Sequence, residues 1–285
     1  MKPEILKEIE SLSGPGELPD GTSYQRLSVE NTEKISRDLN VSGRDIEIAA
    51  LETDVIPERY VRNMKTFSSD DQATLLRSQV CVVGLGGLGG AVTEILARVG
   101  IGTLKLIDGD TFEDSNFNRQ FLCTRDQIAK PKAETAAKRV HQVNSSIVVL
   151  KHHAPIDESN SVTFIEHSDV VVDCLDNVPT RFTLERASKE IGSPLVSAAI
   201  AGVSGHVTTI FPEDRGLELI YGKKDHLPIK GVETSLGCLP QAVTVLAALE
   251  CSEVVKILLN KGDVLRNRLL FVDLVDSTFE TLQLI

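Results

Sequence analysis

The chain has 285 residues, 41% hydrophobic and 25% charged, a balance that supports a sizeable packed core without staples. Its formal net charge of −11 disfavours nucleic acid as a partner, because duplex binders present a basic face. Five cysteines with no Cys-x-x-Cys pair argue against a disulfide framework and a zinc knuckle, so no zinc is expected.

The N-terminus, Met1-Lys2-Pro3-Glu4-Ile5-Leu6, has no apolar signal region, and the apolar segment Leu239–Leu259 is interrupted by Glu250, Glu253 and Lys256. The expectation is a cytoplasmic protein with no membrane partner. Residues 1–66 are polar, with a turn-forming Gly14-Pro15-Gly16 cluster and helical spacing around Ser28–Leu39 and Ser42–Val55. They read as a small helical N-terminal extension that ends in Ile56–Asn63, and residues 67–285 form the main domain.

From Ser68 the pattern alternates. Ser68-Ser69-Asp70-Asp71 can cap a helix running to Arg77. Strands are predicted at Val80–Val83, Thr103–Ile107, Ile147–Leu150, Asp169–Cys174, Pro194–Ile200 and His206–Phe211. Helices are predicted from about Ala91 to Val99, over Lys132–Val143, and from Leu239 to near Asn260. Leu269–Leu274 and Thr278–Leu284 read as closing strands. The fold class is therefore α/β, Rossmann-like, with a mostly parallel sheet and helices on both faces. Pro212–Gly237 breaks the rhythm, and a loop of that length in a compact domain commonly has a function.

Four groups of residues carry chemistry. Gly84-Leu85-Gly86-Gly87-Leu88-Gly89 follows a strand and opens a helix, the setting in which glycines let a phosphate approach free backbone N–H groups. Asp108, with Asp110 as a neighbour, ends the next strand near the offset of about 20 residues expected of a ribose-binding acid. To this point NAD and ATP fit equally. Ser115-Asn116-Phe117-Asn118-Arg119-Gln120 and Lys132 then add cations suited to a bent triphosphate, which carries more charge than a dinucleotide bridge. Finally, Asp176 and Asn177 follow an apolar strand at the edge where ligands sit, with Asp176 a candidate Mg²⁺ ligand or, alternatively, a helix cap.

These motifs, together with Arg59-Tyr60-Val61-Arg62 and Lys130-Pro131-Lys132, resemble the HesA/MoeB/ThiF family of adenylyltransferases, which shares its core with ubiquitin-activating enzymes. The resemblance extends from roughly Ile56 to the C-terminus. It implies that Gly84, Gly86, Gly87, Asp108, Asp110, Ser115, Asn116, Asn118, Arg119, Gln120, Lys132, Asp176 and Asn177 surround MgATP. It implies further that Arg62 reaches the site of a second subunit in a homodimer. The implied reaction adenylates the C-terminal carboxylate of a small ubiquitin-like sulfur carrier ending in Gly-Gly and releases pyrophosphate. A small-molecule or peptide carboxylate is the alternative acceptor, and an NAD-dependent oxidoreductase is the reading from another class.

Family members often carry zinc-binding cysteine pairs and a cysteine in the crossover loop. This chain has no such pairs, and the loop position falls near Glu233. Cys238, before a helix, is the nearest thiol, although Leu236 and Leu239 beside it favour a core role; Cys123 is a second candidate.

Overall fold

The computed structural model describes residues 3–17, 20–222 and 236–285. The N-terminal extension holds helices α1 (Pro3–Leu12), α2 (Val29–Leu39) and α3 (Gly43–Leu51). Ser28 and Ser42 cap α2 and α3 by accepting the N–H groups of Asn31 and Asp45. The extension is not purely helical, however. Strands β1 (Gly14–Glu17), β2 (Ser23–Leu27) and β3 (Val55–Pro57) form a small sheet in that order. Gly14-Pro15-Gly16, which reads as a turn in the sequence, is an edge strand, one of the places where a sheet tolerates proline. Ile5, Ile9, Leu27, Ile35, Ile46 and Val55 give this region a core of its own.

The capping box of Ser68 and Asp71 starts α4 (Ser69–Arg77), as the sequence predicts. Strands β4 (Gln79–Val83), β5 (Thr103–Ile107), β6 (Val148–His152), β7 (Val170–Asp173) and β8 (Leu195–Ala201) follow in chain order. Between them run α5 (Gly87–Val99), α6 (Lys132–Val143), the short α7 (Ser161–Ile165) and α8 (Val178–Ile191). Strand β9 (Ser204–Ile210), helices α9 (Glu218–Tyr221) and α10 (Pro240–Leu259), and strands β10 (Arg268–Asp273) and β11 (Thr278–Gln283) complete the domain.

The eight strands lie in the order β11-β10-β9-β8-β7-β4-β5-β6. The run from β6 through β5, β4 and β7 to β8 is parallel; β9, β10 and β11 add on antiparallel. Strands β4, β5 and β7 are buried almost throughout because helices cover both faces, and even Lys105 in β5 is buried, its ammonium donating to the Glu166 carbonyl at 2.5 Å. On one face Leu88, Val92 and Leu96 of α5, Ala133 and Val140 of α6, and Leu246 and Val254 of α10 pack together. On the other, Ile165 of α7 and Leu184 and Ala187 of α8 meet Cys81, Val83 and Val171. The chain leaves β4 toward β5 on one side and returns to β7 on the other. The carboxyl ends of β4 and β7 therefore border the topological switch point, where a doubly wound sheet opens its ligand crevice.

Among the described residues no helix is long and apolar enough to cross a membrane. The long segment Pro212–Gly237 is described only at its two ends, where α9 forms on one side. Glu233 lies outside the described residues.

Candidate functional site

A cavity of about 1830 Å³ opens at this switch point. Its floor is the glycine turn. Gly84 has φ of +86°, and a Cβ there would lie 2.7 Å from the Cys174 carbonyl oxygen. Helix α5 begins at Gly87, four residues earlier than the apolar pattern predicts. A Cβ on Gly89 would overlap the Gly84 carbonyl oxygen at 1.7 Å, so glycine alone lets the first helical turn fold against the loop. Gly84, Gly86 and Gly87 all line the cavity.

Asp108 and Asp110 extend from the end of β5 along one wall. The Leu85 N–H donates to Asp108 Oδ2 at 2.6 Å and the Asp110 N–H to Oδ1 at 2.7 Å. Burial holds the Asp108 carboxyl above its usual pKa, opposed by the Leu85 bond and the nearby Lys132 charge. Lys132 is the first residue of α6 and is buried, its Nζ 3.0 Å from Asp110 Oδ2. This cation is held by a neighbouring acid that is itself exposed.

Ser115, Asn118, Arg119 and Gln120 line the cavity from the loop between β5 and α6. Arg119 Nη1 donates to the Ser115 carbonyl at 2.9 Å and to Asn118 Oδ1 at 3.2 Å, folding the guanidinium back over its own turn. Gln120 is 5% exposed, and its Oε1 has no hydrogen-bond partner among the described residues, leaving an acceptor at the cavity wall. Asn116 behaves differently. It is buried, and its Oδ1 accepts the Glu113 N–H at 3.1 Å, so it closes the local turn and is not among the cavity-lining residues.

Asp176 and Asn177 form the opposite lip, after β7. Asp176 is exposed. The helix-capping role considered for Asp176 belongs to Asn177, whose Oδ1 accepts the Thr180 N–H at 3.0 Å and starts α8. Asn177 is thus committed to the backbone, while Asp176 faces the cavity.

Arg62 lies elsewhere. It is exposed beside Pro15, Tyr24 and Glu58, outside the glycine-turn cavity. Its flanks are fixed. Tyr60 donates to the buried Glu47 at 3.1 Å and accepts from Asn144 at 2.9 Å, and Asn63 donates to Gln72 at 2.8 Å.

Cys238 does not take the expected core position. It is half-buried in the cavity wall, bridged to Gly202 after a left-handed Gly237, while Leu236 and Leu239 are exposed. Cys123 is buried away from the cavity, and burial, with the Asp114 charge second, raises its thiol pKa.

The wall also contains residues the sequence reading does not single out. Ala154, Pro155 and Ile156 follow β6; Arg181 lies on α8, and His206 on β9 sits with its Nε2 3.4 Å from the Tyr221 hydroxyl. The rule that ligands meet the carboxyl ends of parallel strands points to 154–156. Nothing local marks Arg181 or His206, because antiparallel pairing and helix packing bring them in.

A parallel sheet with a glycine turn at its switch point, an acid on the next strand and a buried lysine beyond defines a Rossmann-like nucleotide-binding α/β protein. The chain belongs to the ThiF family, whose profile matches residues 60–285. The SAMP-activating enzyme E1 of Haloferax volcanii is 38% identical over 229 residues, covering 79% of this chain and 84% of that protein. The molybdopterin-synthase adenylyltransferase of Haemophilus influenzae is 34% identical over 222 residues, covering 75% of this chain and 89% of its own length. The crystal structure of Escherichia coli MccB with ATP shares the fold at a TM-score of 0.69 and 22% identity, covering 90% of this chain and 79% of MccB.

Proposed function

We infer that this chain is an ATP-dependent adenylyltransferase that activates the C-terminal carboxylate of a small ubiquitin-like sulfur carrier ending in Gly-Gly. The reading rests above all on the buried Lys132 ammonium beside Asp108 and Asp110, in the same cavity as the glycine turn. Family membership and the names of the relatives support the reaction class.

The ribose hydroxyls would take the Asp108 carboxylate, and the phosphates would run along the N-terminus of α5, where N–H groups and the helix dipole favour anions. Lys132 and Arg119 would neutralise charge that builds on the α-phosphorus and on the leaving pyrophosphate. An acceptor carboxylate oxygen attacks the α-phosphorus in line; the new O–P bond forms as the bond to the bridging oxygen of pyrophosphate breaks. The two hydrogen bonds that hold Arg119 to its own turn both use Nη1, and the residue already lines the cavity.

Mg²⁺ suits this site. Asp176 offers an exposed carboxylate on the cavity, and Mg²⁺ characteristically takes one or two carboxylates, with phosphates and water completing its shell. Bound there, it would supply charge neutralisation at the phosphates. Arg62, exposed and remote from its own cavity, would serve the site of the second subunit of a homodimer in the cytoplasm.

The test is exchange of labelled pyrophosphate into ATP with purified carrier proteins ending in Gly-Gly, with mass spectrometry to detect the carrier adenylate. Exchange dependent on such a carrier is expected. Absence of exchange with every cognate carrier, despite ATP binding, would overturn the acceptor assignment.

A further inference from the structure

The lip that bears Asp176 is held by a buried charged cluster with no part in the chemistry described so far. Asp173 ends β7 and is 0% exposed; Arg181 on α8 and Ser197 on β8 are also buried. Asp173 Oδ1 accepts the Leu175 N–H at 3.1 Å, while its Oδ2 accepts Arg181 Nη1 at 3.0 Å and the Ser197 hydroxyl at 2.7 Å. Arg181 Nη1 also donates to the Ala198 carbonyl at 2.7 Å, and its Nη2 donates to the Leu175 carbonyl. Both backbone groups of Leu175 are therefore gripped by one ion pair.

The geometry has a direct consequence for the next residue. The Leu175 carbonyl and the Asp176 N–H belong to one planar peptide unit, so holding the first orients the second. On the far side Asn177 is fixed as the cap of α8. Asp176 thus stands exposed between two immobilised neighbours. The same strand end touches the glycine turn, since a Cβ on Gly84 would meet the Cys174 carbonyl. A shift at 173–175 would change the distance from Asp176 to the phosphate seat. Stability is a poor explanation for such a pair, because well-packed apolar residues of similar volume often do as well as a buried ion pair.

We propose that Asp173 and Arg181 are positioning residues that set the Asp176 carboxylate at the distance from the glycine turn needed to share a divalent cation with bound nucleotide. The inference rests on the reading of Asp176 as the metal ligand.

The experiment is titration of the full chain with Mn²⁺ in the presence of a non-hydrolysable ATP analogue, with free Mn²⁺ read by electron paramagnetic resonance. Asp176→Asn should abolish tight Mn²⁺ binding. Arg181→Lys and Ser197→Ala should each weaken it by about tenfold or more, as loss of groups that orient metal ligands does; for Ser197→Ala, which is outside the cavity lining, analogue affinity in metal-free buffer should be unchanged. In the double variant Arg181→Lys with Asp176→Asn, no loss beyond that of Asp176→Asn alone is expected. Ser197→Ala removes a single hydroxyl and decides the matter where Arg181→Lys does not fold. Wild-type Mn²⁺ affinity in folded clamp variants, or additive losses in the double variant, would overturn the proposal while leaving Asp176 as ligand. Wild-type affinity in Asp176→Asn would instead remove Asp176 from the metal site, and the clamp's role with it.

Discussion

The Asp108 carboxylate accepts the Leu85 N–H at 2.6 Å, so the acid at the end of β5 also secures the glycine turn at the end of β4. One side chain links two strands, and its loss should be felt twice. Asp108→Ala leaves the Leu85 and Asp110 N–H groups without this partner and, on the proposed role, removes the group that would accept from the ribose. We expect ATP affinity, measured by calorimetry, to fall by at least about tenfold, with a stability loss of about 1–3 kcal/mol in urea melts. Gly89→Ala, whose new methyl would strike the Gly84 carbonyl, should destabilise the fold by a similar amount through overpacking.

Lys132 offers a cleaner separation of binding from chemistry. Its ammonium is paired with the exposed Asp110 and also offsets the burial of Asp108, so Lys132→Ala frees Asp110 into water and raises the Asp108 carboxyl pKa further. Thermal stability should fall, with Lys132→Met, which refills the volume, separating lost packing from lost charge. The rate of pyrophosphate exchange should fall by about 10²–10³-fold, as for loss of a group that meets developing charge, with a smaller change in KM for ATP.

Arg62 tests whether two subunits share a site. Arg62→Ala alone should fold normally, because the side chain is exposed and its neighbours Tyr60 and Asn63 carry the anchoring bonds. Its exchange activity should fall. Mixing inactive Arg62→Ala with inactive Lys132→Ala should restore part of the activity if mixed dimers hold one intact site. No recovery after subunit exchange, followed by native mass spectrometry, would place Arg62 outside catalysis.

His206 governs a pH effect. Burial, with the Arg181 charge second, lowers its pKa from 6.5 to about 4. A folded value below the unfolded one means that the unfolded chain takes up the proton first. Its stabilising contribution is therefore complete above about pH 6.5 and is lost as pH falls toward 4. The full loss is on the order of 3 kcal/mol as an upper bound, since the ring is only partly enclosed. His206→Gln should flatten the denaturation midpoint across that pH window relative to the unmodified chain.

Much of this was written in local pattern. The apolar core of β4, β5 and β7, the glycine spacing and the acid after β5 are all short-range signals, and together they point to the cavity that opens at the N-terminus of α5. Short strands without periodicity were harder to see, which is why Gly14-Pro15-Gly16 reads as a turn yet forms an edge strand. Residue type also misleads where a polar side chain has backbone work nearby. Asn116 and Asn177 have the chemistry of ligand contacts, yet each satisfies a turn or a helix end first.

By itself the sequence determined which residues could meet a phosphate, because glycine spacing and strand-to-helix transitions are encoded within a few positions of one another. Only the tertiary structure decided which of them face the same space. It put Arg62 on a separate surface, drew Cys238 to the wall, and joined Asp173, Arg181 and Ser197 from three elements around the strand end bearing Asp176. The physical reason is that side-chain convergence depends on strand order and on hydrogen bonds between residues distant in the chain, neither of which leaves a periodic mark in the sequence.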